Sequence, residues 1–511
     1  MPNMDKHQIV EIKKTALIGL RRRISTLYAL SIFGVWASLY LPNLADTPRW
    51  YGDETVTLGC GQDLAKGLFA NRAIWNTYIN PQFCYQPGYV FVVGMLSNLG
   101  HGNIAWPRLL NATAALGVAW ICLFWLGRRI SLTRALMASM LFLTYEQTII
   151  HFRWVYAHNA AALGIFFSAV LLSQRKCARR DWQSGLGLAL AAASHPLAIH
   201  GGIAACLNRW SRPKSWPRIL IPPLVMGILC ILPIWIWNFP WWWSDLHDLR
   251  EFYAGFSREL AAGIQWPINF WMFFIHDWFH VLSACSLLFC LFTPLRPVAL
   301  TAIVLVGLLT QNRQNLPVFY YQAVVALPLL AACLGLTLSK LPRKFFRKIP
   351  WVRWIPFLLP TALWIHEAPK VWGSELISRN DPWVVQSIHN HLDVIDWLNR
   401  NTQPEDLVIC HWNIGWRLNC QNADPMMSVA WEGLPTFTYE HGLAKNRFRY
   451  SADIRSAKFL VLTDIDRIWT LGQPNVQAVI NDRTLSGWQP VFQSGTCLVL
   501  APPGPGPDAK Q

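Results

Sequence analysis

The sequence predicts an all-α polytopic membrane bundle of about eleven transmembrane segments, followed by an extracytoplasmic C-terminal α/β domain. Three observations predict it. Of 511 residues, 53% are hydrophobic and only 14% are charged, too little charge for a soluble chain of this length. More than half of the 44 Lys and Arg fall in six short segments between apolar runs: 1–23, 128–134, 175–180, 209–218, Arg296 and 340–353. Short basic loops that hold few acids are the positive-inside signature, which makes these segments cytoplasmic. Past residue 370 the long apolar runs stop, and short strand-like and helix-like patterns replace them. The net charge of +16 therefore reports topology and gives no reason to expect a nucleic-acid partner.

The apolar runs predicted as helices are 24–42, 104–127, 131–149, 157–173, 219–237, 270–291, 297–310, 318–338 and 352–369. The first is too long for a signal-peptide core and has no small-residue cleavage site, so it stays as a helix. Several runs fall short of the ~20 residues of an ordinary span, so their ends are soft. The run between the basic loops at 175–180 and 209–218 is interrupted by His195-Pro196. Proline removes a backbone donor, so two short helices are predicted there, 183–194 and 196–207. The N-terminus is then cytoplasmic and the C-terminus outside. Residues 87–99 are also apolar, but a span there places Arg128 and Arg129 outside against the charge rule; a helix lying on the outer surface is predicted instead.

Loop 43–103 and tail 371–511 share one side of the membrane in this topology, giving a transmembrane domain over 1–370 and a soluble domain over 371–511. In the tail, Val384, Ile388, Leu392, Ile395 and Leu398 recur at helical spacing. Leu407–His411, Lys458–Leu462 and Cys497–Leu500 have the short apolar character of buried strands. The terminus, Pro-Pro-Gly-Pro-Gly-Pro from Pro502, is predicted disordered. Cys60 with Cys84 and Cys410 with Cys420 are candidate disulfides on the oxidising side, with simple buried thiols as the alternative. No CxxC or HExxH spacing occurs, so no structural zinc site of the familiar kinds is expected.

The acids that draw attention are Asp53 and Glu54, in Arg49-Trp-Tyr-Gly-Asp-Glu-Thr-Val just after the first span. The plain reading of such a pair is a solvated loop; the chemical one is a general base for a lipid-borne substrate. After them come Leu64-Ala-Lys-Gly67, then Tyr85-Gln-Pro-Gly-Tyr-Val-Phe-Val-Val-Gly-Met-Leu, then Trp106-Pro-Arg108, and a span ending in Gly127-Arg-Arg129. This order resembles the polyprenyl-phosphate-dependent glycosyltransferases of the GT-C fold, nearest in character to protein-mannosyltransferase-like and lipid A aminoarabinose-transferase-like members. It covers most of residues 20–340, and the ordered series carries it rather than any single piece. Two departures stand out: Tyr85-Gln86-Pro87-Gly88 replaces a double proline, and Gln86 stands where some relatives have a basic residue.

The resemblance implies transfer of a sugar from a polyprenyl-phosphate donor to a lipid, glycan or protein acceptor on the outer face of a plasma (inner) membrane, with inversion. Asp53 is then the base for the acceptor hydroxyl, with Glu54 orienting groups around it or sharing the role. The departing phosphate needs cationic or hydrogen-bonding partners. Arg153 and His158, in Glu146-Gln-Thr-Ile-Ile-His151-Phe-Arg153-Trp-Val-Tyr156-Ala-His158-Asn159, are donor-binding candidates, as are Gln86, Arg313, Tyr320 and Tyr321. Arg153 has a plainer reading as a snorkelling interfacial arginine, and His195 and His200 at the broken pair one as structural histidines. Glu146 is expected at membrane depth, facing a polar cavity. Trp241–Trp243 in the loop 238–269 read as interfacial anchors. Some relatives use a divalent metal, but two adjacent carboxylates do not make a metal site, so none is predicted. The competing reading is a transporter or flippase of lipid-linked sugars, against which stand the large one-sided tail and the lack of an internal hydropathy repeat.

Overall fold

A computed structural model describes residues 6–67, 73–74, 78–79, 87–174, 176–237, 266–311, 324–345, 355–374, 384–435, 444–466, 474–484 and 487–503. Gln86, Arg313, Tyr320, Tyr321, Cys84, Trp241–Trp243 and the final residues 504–511 lie outside them.

The described parts of the apolar runs before residue 370 are mostly helical. The first half of the chain builds α1 Lys6–Tyr40, α2 Gly52–Ala65, α3 Pro87–Leu99, α4 Ala105–Phe124, α5 Leu132–Thr144, α6 Glu146–Arg153, α7 Ala157–Leu172, α8 Ala178–Ser194, α9 Ala198–Asn208 and α10 Trp216–Trp237. There follow α11 Trp266–Ile275, α12 Trp278–Cys290, α13 Arg296–Gln311, α14 Leu327–Phe345 and α15 Ile355–Trp372. A small hairpin, β1 Ala73–Ile74 with β2 Tyr78–Ile79, sits between α2 and α3.

Two helical stretches among the described residues are long and apolar enough to cross a membrane by themselves, Ala105–Arg128 and Pro213–Pro233; counting each sharply bent pair as one span makes four. The bent pairs correct two expected spans. The run 131–149 stops at Thr144, where Tyr145 turns extended, and Glu146 opens α6, which meets α7 at 119°. The run 270–291 breaks at His276-Asp277, where Asp277 caps α12 by accepting from the His280 amide, and α11 meets α12 at 112°. Non-helical backbone of this kind is tolerated beside lipid only where protein or a polar cavity satisfies it.

Small residues set the helix spacing. α2 and α3 cross at Gly61 and Gly94, where a Cβ on Gly94 lies 1.8 Å from the Gly61 carbonyl oxygen, so only glycine permits the approach. α7 and α8 meet in the same way at Gly164 and Gly187, and a Ser168–Ser184 hydroxyl contact of 2.6 Å ties them across the interface. α3 buries Tyr89, Val90 and Val93 while exposing Phe91, Val92, Met95 and Leu99, the one-sided pattern of a helix resting on an apolar surface.

The tail forms a mixed five-stranded sheet in the order β4-β3-β5-β7-β6. Its strands are β3 Leu407–Ile409, β4 Gln421–Ala423, β5 Phe459–Leu462, β6 Gln489–Ser494 and β7 Cys497–Ala501, with helices α16 Ile388–Asn401, α17 Trp412–Gly415, α18 Pro425–Trp431 and α19 Pro474–Thr484. β3 pairs in parallel with β4 and β5, while β7 runs antiparallel between β5 and β6. α16 buries Ile388, Ile395 and Leu398 of the expected stripe, together with Val394; Leu392 is half-buried, and Val384 lies before the helix, bridged to Tyr51. Cys410 and Cys420 are buried thiols without the candidate disulfide. The register explains why: Cys410 follows Ile409, which pairs with Ala423, whereas Cys420 precedes Gln421, which pairs with Leu407. The two cysteines thus flank opposite ends of a parallel pair, out of disulfide reach.

The sheet domain sits directly on α2 and the segment before it. The Val385 amide donates to the Trp50 carbonyl at 3.0 Å, and Tyr51 bridges Val384. Thr55 donates to Asn413 at 2.7 Å, and the Trp50 and Trp416 rings meet edge-on at 5.6 Å. Loop 43–103 and the tail are therefore in contact.

Candidate active site

Two fully buried arginines shape the connection from α1 to α2. Arg153, at the end of α6, donates from Nη1 to the Leu39 carbonyl at 2.7 Å, from Nη2 to Pro42 at 2.5 Å and from Nε to Thr47 at 2.8 Å. Leu39 lies in the last turn of α1, where a helix leaves its acceptors without partners and the dipole favours a cation, and Pro42 and Thr47 lie in the segment beyond it. Arg108, near the start of α4, donates from Nη1 to the carbonyls of Leu44, Ala45 and Pro48. Its other two nitrogens grip Glu54 as a fork, Nε to Oε1 at 2.8 Å and Nη2 to Oε2 at 2.7 Å.

Glu54 is the hub of this core. Besides Arg108, its Oε1 accepts from the Val155 amide at 2.9 Å, and its Oε2 lies 3.5 Å from the Tyr51 amide at the start of its own helix. One carboxylate thus joins α2, α4 and the break between α6 and α7. Around it, the Tyr51 ring packs on Trp154 at 5.1 Å and Tyr156 at 5.5 Å, and the Trp154 indole donates to the Arg49 carbonyl. Asn159 donates to the carbonyls of His151 and Trp154, holding the broken turn, and reaches Asn111, which exchanges hydrogen bonds with Tyr89.

The adjacent acids consequently differ. Successive residues of a helix point about 100° apart. With Glu54 turned into the core, Asp53 is swung away from it and stays half-buried. Asp53 occupies the first turn of α2, where the helix N-terminus favours the ionised carboxylate. The pair divides into a buried brace and an accessible acid.

His158, in the first turn of α7, packs against His195 with ring centroids 4.1 Å apart and planes tilted by 39°, and His195 lies in the break between α8 and α9. The structure thus unites two histidines that lie far apart in sequence. Glu146 opens α6 with its side chain partly exposed, and Lys370 on α15 lies 3.5 Å from it and 3.2 Å from Glu367.

Sequence reasoning missed a polar chain at the far end of α6. The Tyr145 hydroxyl bonds Asp277, and Asp277 in turn holds the His280 ring Nδ1 at 2.9 Å. The Tyr145 ring stacks on Phe279 at 4.1 Å. α6 has eight residues, so about 12 Å of helix separates this chain from the Glu54 hub. The signal was available: an acid inside a presumed span is expensive and marks a break or a polar site.

No family model and no curated protein sequence matches the chain. Solved structures do. ArnT from Cupriavidus metallidurans in the apo state superposes with a TM-score of 0.58, over 95% of this chain and 98% of that one, at 13% identity. The same protein bound to undecaprenyl phosphate gives 0.56, over 93% and 97%, at 12% identity. The archaeal oligosaccharyltransferase AglB from Archaeoglobus fulgidus, in complex with an inhibitory peptide and a dolichol-phosphate, gives 0.52 over 86% of this chain and 69% of that one, at 12% identity. These are GT-C proteins. This chain has the GT-C fold. The match with ArnT runs through the helices and the tail alike, so the whole chain, not the bundle alone, follows a GT-C plan. At identities this low the likeness is one of fold, and residue roles rest on the geometry above.

Proposed function

We propose that this GT-C chain is an integral membrane glycosyltransferase that moves a sugar from a polyprenyl-phosphate donor to an acceptor on the extracytoplasmic side. The observation that carries the proposal is the division of the acid pair: Glu54 is wholly buried against Arg108 and Val155, while Asp53 is only half-buried in the first turn of its helix. That the similar structures of ArnT and AglB were solved with undecaprenyl phosphate and dolichol-phosphate supports the class of donor.

In the proposed reaction, Asp53 takes the proton of the acceptor hydroxyl as its oxygen attacks the anomeric carbon. The bond from that carbon to the phosphate oxygen breaks, and polyprenyl phosphate leaves with the electron pair, so a single displacement inverts the centre. Glu54 takes no proton in this scheme; it fixes the turn that aims Asp53. Arg153 is likewise withdrawn from the donor phosphate, because all three of its nitrogens donate into backbone carbonyls and the side chain is buried. The donor contacts we retain are His158, Gln86, Arg313, Tyr320 and Tyr321.

We further propose that the shorter apolar helices complete a bundle of about eleven spans, with the N-terminus in the cytoplasm and the tail outside. The contact of Trp50 and Tyr51 with Val384 and Val385 supports placing loop and tail on one side. A flippase is the reading to separate. In proteoliposomes holding a polyprenyl-phosphate sugar, the transferase is expected to release free polyprenyl phosphate when acceptor is supplied. Movement of intact donor between leaflets without cleavage is the opposite result and would assign transport.

A further inference from the structure

His391, Asp464 and Cys497 lie together in the tail with one ligand atom from each within 4.8 Å of the others. They come from the first turn of α16, the segment after β5 and the first residue of β7, and all three are buried. The transferase reading uses none of them.

Their hydrogen bonding is what points to an ion. The His391 Nδ1 lies 2.8 Å from the Ser387 carbonyl oxygen, which only accepts, so Nδ1 carries the proton and Nε2 is left with a lone pair. A backbone carbonyl fixing the far nitrogen in this way is how metal-binding histidines are held. Nε2 faces Asp464 Oδ1 at 3.7 Å, beyond hydrogen-bond distance, and neither atom has a hydrogen-bond partner among the described residues. The other oxygen, Oδ2, accepts from the Gln386 amide at 2.6 Å, which fixes the carboxylate. Cys497 Sγ lies 3.8 Å from Nδ1 of the same ring, and one ligand atom of each residue falls within 4.8 Å of the others. Ligands placed ~2.0–2.3 Å from a tetrahedral zinc sit roughly 3.3–3.8 Å from one another, and the 3.7 Å between Nε2 and Oδ1 matches that spacing.

We propose that His391 Nε2, Asp464 Oδ1 and Cys497 Sγ bind one zinc ion. Imidazole with thiolate favours zinc over the oxygen-loving magnesium and calcium. Binding releases the thiol proton of Cys497 to solvent and leaves the sulfur as thiolate. The site is structural: buried on every side, it ties α16, β5 and β7 together. Asp464 also holds Gln386, next to Val384 and Val385, which dock on Tyr51 and Trp50. The ion therefore steadies the strip that seats the tail beside Asp53. The site was illegible in the sequence, because its ligands are spread over more than a hundred residues with no motif.

The test uses the full chain purified in detergent. Zinc content by plasma mass spectrometry is expected to be stoichiometric, and chelation is expected to lower the melting temperature. Exchange for cobalt is expected to give ligand-field bands with a thiolate charge-transfer band. Asp464→Asn, nearly isosteric and still able to accept from Gln386, is expected to fold and lose the metal. Cys497→Ser is expected to lose the charge-transfer band. Two results overturn the proposal: wild-type protein that takes up neither zinc nor cobalt and melts unchanged with chelator, or an Asp464→Asn protein that holds zinc as wild type does.

Discussion

Replacing Arg108 by Leu is expected to leave little folded protein in the membrane. The guanidinium and the Glu54 carboxylate are both wholly buried, and the fork between them pairs the two charges. Removing one member of such a pair strands the other charge and costs about 3–5 kcal/mol, a large part of the roughly 5–15 kcal/mol that holds a typical domain together. The loss extends further, because Arg108 also satisfies the carbonyls of Leu44, Ala45 and Pro48, and an orphaned buried acceptor costs about 1–3 kcal/mol. Yield of monodisperse protein and melting temperature in detergent report it. The double variant Arg108→Leu with Glu54→Leu is expected to recover part of the stability, since no charge is then left alone. A single variant as stable as wild type contradicts the role given to Glu54.

Asp53→Asn is expected to do the reverse, sparing the fold and removing the chemistry. Asparagine keeps the size and a hydrogen-bonding oxygen at the helix start, but it takes no proton at neutral pH. General-base catalysis is worth about 10²–10⁴-fold, so turnover is expected to fall by that factor while donor binding and melting temperature stay near wild type. The comparison with Glu54→Gln separates the two acids. Loss of activity there is expected to follow loss of stability, because that carboxylate is bound to Arg108 and Val155. Equal catalytic loss at both positions with unchanged stability points instead to a shared base.

The positions of the helices were legible because hydrophobic runs and basic loops follow directly from the solvent on each side. Their breaks were less so. Tyr145 and Asp277 end helices inside runs that read as continuous, and local hydrogen bonds decide such breaks, not average hydropathy. In the tail, β3, β5 and β7 were visible as apolar runs. β4 and β6 were not: Gln421–Ala423 is polar, and Gln489–Ser494 lies on the edge of the sheet with much of its surface exposed. The acid pair was legible as a motif, but its division of labour was not, since that depends on Arg108 arriving from α4. Arg153 teaches the same point. An arginine near an outer turn invites a phosphate, whereas three carbonyls of the α1 end occupy it here.

The central claim is that this chain consumes a lipid-linked sugar through Asp53. Mass spectrometry of the polyprenyl-phosphate sugars in cells lacking the protein tests it most directly, with complementation by wild type and by Asp53→Asn. The account predicts that one such lipid accumulates without the protein, returns to its normal level with wild type, and stays high with Asp53→Asn although that variant is present in the membrane. An unchanged lipid pool in the deleted cells, or full correction by Asp53→Asn, contradicts it.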